Sequence, residues 1–184
     1  MIELLPLFLR VAGRRVVLVG AGAVALGKLR GLLAARAEVV VVAPEALPEF
    51  EQQPVRLERR RFEPADLDGA WLVVAAATPE VNRQVADAAE ARRIFVNAVD
   101  DPASASAFAS GVVRRGGTTV AVSTAGEAPA LAGLVREALE AMLPEDLSRW
   151  HALARELRPA WRAAGTPMAA RRPLLLEALN RIYS

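Results

Sequence analysis

Cysteine is absent from the 184 residues, and histidine, lysine and tyrosine occur once each, as His151, Lys28 and Tyr183. Without a thiol the chain has no disulfide, no thiolate nucleophile, no zinc–cysteine site and no iron–sulfur cluster. The single histidine lies beside Trp150 and would need partners that the sequence does not supply before it could hold a metal, so a packing or surface role is expected for it. Long hydrophobic runs are also missing. The first ten residues, MIELLPLFLR, carry Glu3 and only a short apolar stretch before Arg10, which fits neither a signal peptide nor a membrane span; a soluble, cytoplasmic protein is expected. Net charge is only +2, a weak excess that does not imply a nucleic-acid partner. The basic side is almost all arginine, whose fixed fork suits planar carboxylates. The run Arg59-Arg60-Arg61 is either the solvated side of a strand or part of a seat for a polyanion.

What is present is apolar and patterned. A hydrophobic fraction of 53% in a chain of this length supports a real core, with room for one cofactor domain and a smaller appendage. The organising stretch is VVLVGAGAVALGK at 16–28, a strand-type run that breaks at Gly20 and restarts with helical spacing. Gly20, Gly22 and Ala25 fill the small positions of a G-x-G-x-x-G/A fingerprint: a tight turn, a close approach to a pyrophosphate, and helix-on-strand packing. The β-branched run Val39 to Val42 completes a βαβ unit. The acidic residue that commonly ends this second strand and takes the ribose hydroxyls is replaced by Ala43-Pro44, with Glu45 one step later in the loop. No Arg or Lys lies between Val39 and Phe50 to meet a 2′-phosphate, which favours NAD over NADP.

Further along, Leu4 to Val11 has the spacing of a short strand, Val55 to Phe62 that of a third sheet strand, Trp71 to Ala77 of a fourth and Ile94 to Val96 of a fifth. A helix over 23–35 shows Val24, Leu29, Leu32 and Leu33 on one face, and another over 80–92 begins with Thr78 as N-cap and Pro79 at its first position. The small residues from Ala75 to Ala77, with Thr78, end the fourth strand and leave room for a cofactor's ribose or nicotinamide; Asn97 and Asp100 arrive at the same edge from the fifth. This order predicts a Rossmann-like sheet over 1–113. The pattern then changes to a hairpin closed by Arg115-Gly116-Gly117 and a helix, spanning 114–144, and finally to a helical module over 145–184. The fold class is therefore α/β, with a Rossmann-like NAD-binding sheet, a β-hairpin region and a C-terminal helical module.

Asp100 is the best candidate for proton transfer, because a carboxylate at the ligand edge could take up a proton as a hydride leaves; its alternative is a loop cap. Ser123 and Thr124 stand before a helix, where hydroxyls cap amides or line a site.

Several motifs together resemble the precorrin-2 dehydrogenase/sirohydrochlorin ferrochelatase family, which also forms the first part of siroheme synthases. They are L-P-L-F at 5–8, V-G-A-G-x-V-A-x-x-K at 19–28, A-A-x-A-R-R-I-F-x-N-x-V-D at 88–100 and V-A-V-S-T-x-G-x-A-P-A-L-A at 120–132. The resemblance implies NAD-dependent oxidation of precorrin-2 to sirohydrochlorin, with optional insertion of ferrous iron as a second substrate. It implies a homodimer interlocked through the hairpin and helical regions, NAD contacts at Gly20, Gly22, Ala23, Val24, Pro44 and Glu45, and Asp100 serving both reactions, including a transient contact to the metal; Ala43, Ala76 and Thr78 are expected at the cofactor from their place at the strand ends. Asn97, Ser123, Thr124 and Arg114 are then expected at the tetrapyrrole, whose eight carboxylates need a basic seat; Arg115 and Arg136 are further candidates by position. Three departures stand out. The segment between Asp100 and Phe108 has one residue more than the usual pattern, no proline follows Phe108, and Thr124 stands where family members carry a serine that can be phosphorylated. The methyltransferase part of fused homologues is absent from these residues. Two other readings stay open at this point: a dehydrogenase without chelatase activity, and a non-catalytic NAD-responsive binding module. A methyltransferase using S-adenosylmethionine could share the glycine turn, but the hairpin and the motifs around Asp100 and Thr124 argue against it.

Overall fold

The computed structural model describes residues 3–183. Strands β1 (Arg15–Val19), β2 (Glu38–Val42), β3 (Arg56–Glu58), β4 (Leu72–Ala75) and β5 (Phe95–Ala98) form one parallel sheet in the order β3-β2-β1-β4-β5. Helix α1 (Ala23–Ala34) crosses from β1 to β2, and α2 (Pro79–Ala91) crosses from β4 to β5. Strand order reverses between β1 and β4, and in such sheets the crevice at that switch point, beyond the carboxyl ends, is where ligands bind. The strands are nearly all valine, leucine or alanine because both faces are covered. Alternation along β1 sends Val17 and Val19 into a cluster with Val73, Val85, Ala89 and Val96, on the α2 side. Val16 and Leu18 join Ala25, Leu29, Val41 and Phe50 on the α1 side. Each fully buried side chain of this kind contributes roughly 2 kcal/mol relative to exposure.

Three sequence expectations change in detail. Leu4 to Val11 forms no strand: Leu5, Leu7 and Phe8 are exposed and only Val11 is buried. Alternating apolar residues make a strand only where a ladder can satisfy their amides, and no described strand pairs with them. Strand β3 is much shorter than 55–62, because the Arg60 guanidinium turns to the Asp66 carboxylate, with Nη1–Oδ2 at 2.8 Å, and draws the chain out of the ladder. Arg59 pairs with Glu51, so two of the three clustered arginines are engaged within the fold. Val24, expected on the core face of α1, is 53% exposed, and Ala25 and Leu29 hold that face instead.

The chain divides into two units: one runs to Ala109 and includes Ala125–Glu127, and the other comprises Ser110–Thr124 with Ala128–Ser184. In the second, β6 (Gly111–Arg115) pairs antiparallel with β7 (Thr118–Val122). Helices α3 (Pro129–Met142), α4 (Leu147–Ala163) and α5 (Met168–Asn180) follow. Helix α3 packs on the hairpin, and Arg115 donates to the Leu143 carbonyl at its end. The hairpin turn rests on α4: a Cβ on Gly116 would lie 2.3 Å from the Ser148 amide nitrogen, and the His151 ring lies against Gly117. His151 is itself exposed, with its ring beside the hairpin turn, within the packing or surface role expected. Trp150 donates to Tyr183, which donates to Asp146, tying the end of the chain to the start of α4. Among the described residues of this unit only Val113 and Ala132 are buried hydrophobics, and Leu131, Leu134, Val135 and Met142 leave an exposed apolar stripe along α3.

Candidate active site

Because the five strands are parallel, the carboxyl ends of β1, β2, β4 and β5 open on one edge of the sheet and carry Gly20, Ala43, Ala76 and Val99. Gly20 adopts φ +103°, and a Cβ there would stand 2.2 Å from the Ala76 carbonyl oxygen. The turn is thus closed by contact with the β4 loop, at the switch point itself. Ala76 N–H donates to Val19 at 2.8 Å and Gly20 N–H to Val42 at 2.9 Å, fixing both neighbours of the bend. Gly22 differs, since nothing lies within 4 Å of where its Cβ would be. It needs no side chain for the protein's own packing, and the space beside it is open.

Gly22 is the N-cap of α1, with no side-chain cap and no acidic residue in the first turn. The four unpaired amides and the positive end of the helix dipole are left for an external anion. The contrast with α2 is direct. There Thr78 accepts from the Val81 amide and Glu80 sits in the first turn, its carboxyl held below the usual range by its own backbone amide and by the Thr78 hydroxyl. That helix start is satisfied internally. Ala23 and Val24 are exposed beside the uncapped turn, Ala25 is fully buried against the sheet, and Ala43 is buried while Pro44 and Glu45 are exposed after β2. The fold thus fits a dinucleotide: an open phosphate seat at α1, the small residues Ala76 and Ala77 beyond β4, and a carboxylate, Glu45, beyond β2.

Asp100 stands just past β5, exposed, at φ +59°. A non-glycine residue there carries a modest backbone cost that the surroundings must hold. The hold is visible on both sides. Upstream, Val99 N–H donates to Ala75 at 2.9 Å. Downstream, Asp101 caps the 3-10 turn Pro102–Ser104, and its carboxyl is lowered by the Ser104 hydroxyl. The chain then returns along β5, where the Val96 amide donates to Ser106 Oγ at 2.9 Å and the Asn97 side chain to the Ala107 carbonyl at 2.9 Å. Asn97 therefore fastens the loop that carries Asp100. Gly126, at φ +81°, lies against Pro102 and Phe108, which brings the loop 125–127 beside the same segment.

One site residue was missed in the sequence. Asn82 is 4% exposed, its Oδ1 accepts from the Ala77 amide at 2.9 Å, and its Nδ2 donates to the Val99 carbonyl at 3.5 Å. The available signal was its place at i with Val85, Ala86 and Ala89 at i+3, i+4 and i+7, an amide on the core-facing stripe of a helix.

The remaining residues expected at the substrate, Arg114, Ser123 and Thr124, belong to the second unit. Thr124 Oγ1 accepts from the Ala128 amide at 3.2 Å across the loop before α3, whose N-cap residue is Ala128 and which has no side-chain cap. Arg114 is exposed. Arg136 pairs with Glu140 at 2.6 Å and Glu137 at 3.1 Å, and Arg115 serves the end of α3. No group of three or more His, Asp or Glu among the described residues could hold a metal ion, and none of the described helices is long and apolar enough to cross a membrane.

The chain is 42% identical over 175 residues to siroheme synthase 1 of Aeromonas hydrophila, covering 92% of this chain and 38% of that protein. It is 41% identical over 183 residues to siroheme synthase of Photorhabdus laumondii, covering 97% and 39%. The chain thus spans about two fifths of the length of these curated relatives. The solved structure of SirC, precorrin-2 dehydrogenase, superposes with a TM-score of 0.73 at 24% identity, over 95% of this chain and 88% of that one, and shares the fold. The family model described as "Putative NAD(P)-binding" matches residues 7–111, a span that includes the whole parallel sheet, and the chain belongs to that NAD(P)-binding family.

Proposed function

We propose that this chain is a dehydrogenase that oxidises precorrin-2 to sirohydrochlorin with NAD⁺, in the cytoplasm, on the way to siroheme. The observation that carries the reading is the pairing on one sheet edge of an uncapped glycine turn with Asp100, held in a left-handed conformation. Relatives called siroheme synthase over 92% and 97% of this chain supply the substrate class.

When bound, NAD⁺ supplies the hydride acceptor. The first-turn amides of α1 would hold its pyrophosphate, with Gly22 leaving room for it, and Glu45 would take ribose hydroxyls beyond β2. The absence of Arg or Lys between Val39 and Phe50 favours NAD over NADP. The macrocycle loses two hydrogens. One would leave as hydride, for which bound NAD⁺ would be the acceptor, and Asp100 accepts the other as a proton, acting as general base. Asn97 holds the Asp100 loop, while Arg114, Ser123 and Thr124 meet the carboxylates of the substrate. Ferrous iron enters as a substrate of a second step, in which Asp100 accepts protons from the ring nitrogens and briefly contacts the metal. The region 114–144 forms a homodimer, a reading supported by the apolar stripe on α3 that the chain itself leaves exposed.

Replacing Asp100 with Ala tests the assignment. NADH formation from precorrin-2 should fall at least a thousandfold, with the NAD dissociation constant changed less than twofold. Retained turnover would remove Asp100 from the chemistry, and NAD binding without any tetrapyrrole turnover by the unmodified protein would instead support a nucleotide-responsive binding module.

A further inference from the structure

We infer that Asn82 is a positioning residue that locks the cofactor loop after β4 to the catalytic loop after β5, so that Asp100 presents its carboxylate only when both loops are held together. The inference rests on the assignment of Asp100 as general base. Asn82 occupies the first full turn of α2, which begins at the ligand edge, and its side chain is almost wholly enclosed at 4% exposure. An amide buried this way is unfavourable unless both its ends are bonded. The Ala77 N–H fixes the orientation, because only an oxygen can face that donor at 2.9 Å, and this turns the NH₂ group toward the Val99 carbonyl at 3.5 Å.

The two partners are chemically unequal. Ala77 lies between Ala76, which closes the glycine turn, and Thr78, which caps α2. Val99 is the residue before Asp100, and its carbonyl belongs to the peptide whose rotation sets φ of Asp100 at +59°. The Val99 N–H, on the preceding peptide, is bonded to Ala75, and Asn82 supplies the bond that stops the Val99–Asp100 peptide from turning. One side chain therefore spans the loop that contacts the cofactor and the loop that carries the base. A leucine of similar size would fill the space and leave both backbone groups unpaired.

An aspartate separates the two halves. Asn82→Asp keeps the acceptor for Ala77 N–H but places an oxygen against the Val99 carbonyl. NAD affinity by calorimetry should stay within about twofold, while kcat for anaerobic precorrin-2 oxidation should fall about tenfold to a hundredfold, the scale of a small misplacement of a reacting group. Asn82→Ser, which removes both direct bonds and admits water, should weaken NAD binding as well as kcat. Thermal unfolding of both variants establishes that they are folded. Wild-type kcat in Asn82→Asp, measured beside an inactive Asp100→Ala, overturns this inference and leaves the base assignment standing. Full turnover in Asp100→Ala overturns both. Equal losses of NAD affinity and kcat in Asn82→Asp, or failure of both Asn82 variants to fold, would assign the residue a structural role and likewise overturn the inference.

Discussion

Two glycines two residues apart should both lose NAD binding on the same substitution, but only one should lose stability. At Gly20 a methyl group would stand 2.2 Å from the Ala76 carbonyl oxygen and 2.7 Å from its carbon, at φ +103°. The approach falls 0.8 Å short of the 3.0 Å below which Cβ contacts essentially do not occur. The obstacle is backbone, pinned by the Ala76 bond to Val19, so it cannot swing aside. Strain at the positive φ costs about 1–3 kcal/mol, and overpacking of this kind about 1–3 kcal/mol more. Gly20→Ala should therefore lose roughly 3–5 kcal/mol, a fall in Tm of about 10 °C for a chain of this size, together with NAD binding. At Gly22 φ is −88° and nothing lies within 4 Å, so alanine should change stability by less than about 1 kcal/mol. Its methyl group would enter the phosphate seat, and NAD affinity should drop at least about tenfold, or about 1.4 kcal/mol. Circular dichroism melts and calorimetric titration with NAD measure both quantities. A Gly22→Ala variant that binds NAD like the parent would refute the seat, and a Gly20→Ala variant with unchanged Tm would refute the steric argument.

Three further outcomes follow from the same geometry. Asp66 is 7% exposed and its carboxyl is lowered chiefly by hydrogen bonds from Arg60; its contribution is complete above the ordinary carboxylate range and is lost as pH falls through the depressed folded value. Asp66→Ala should cost about 2 kcal/mol at neutral pH, and the gap from the parent should close in urea melts as pH drops below the ordinary value of 3.8. Leu134, 65% exposed at the centre of the α3 stripe, should convert a dimer to monomer when replaced by Glu, as read by sedimentation equilibrium; an unchanged mass would place the dimer contact elsewhere. Gly116→Ala, with φ +56° and a Cβ position 2.3 Å from the Ser148 amide nitrogen, should destabilise the second unit by at least about 2 kcal/mol, visible as loss of tryptophan signal from Trp150 and Trp161.

Much of this was legible in the sequence because it depends on local periodicity. The valine-rich strands, the glycine turn after β1, Pro79 behind Thr78, and the hairpin at Gly116-Gly117 each carry their signal within a few residues. The misses arise where a distant partner decides. The segment 4–11 alternates like a strand but finds no described ladder partner, and β3 stops early because Arg60 is claimed by Asp66 across a loop. Val24 matched a helical apolar face, yet it lies in the first turn of α1, where it is exposed while Ala25 and Leu29 meet the sheet. Asn82 looked like an ordinary polar position in a helix. Its importance comes from two backbone groups on different loops, a juxtaposition that exists only after β4 and β5 are paired.

The most direct test is anaerobic incubation of the purified protein with precorrin-2 and NAD⁺, following NADH and the macrocycle spectrum, and then adding ferrous iron. Stoichiometric NADH and the spectrum of sirohydrochlorin are expected, followed by faster appearance of siroheme than in the protein-free control. NADH without accelerated metal insertion would limit the chain to dehydrogenation, and no NADH under conditions where NAD binds would contradict the central claim.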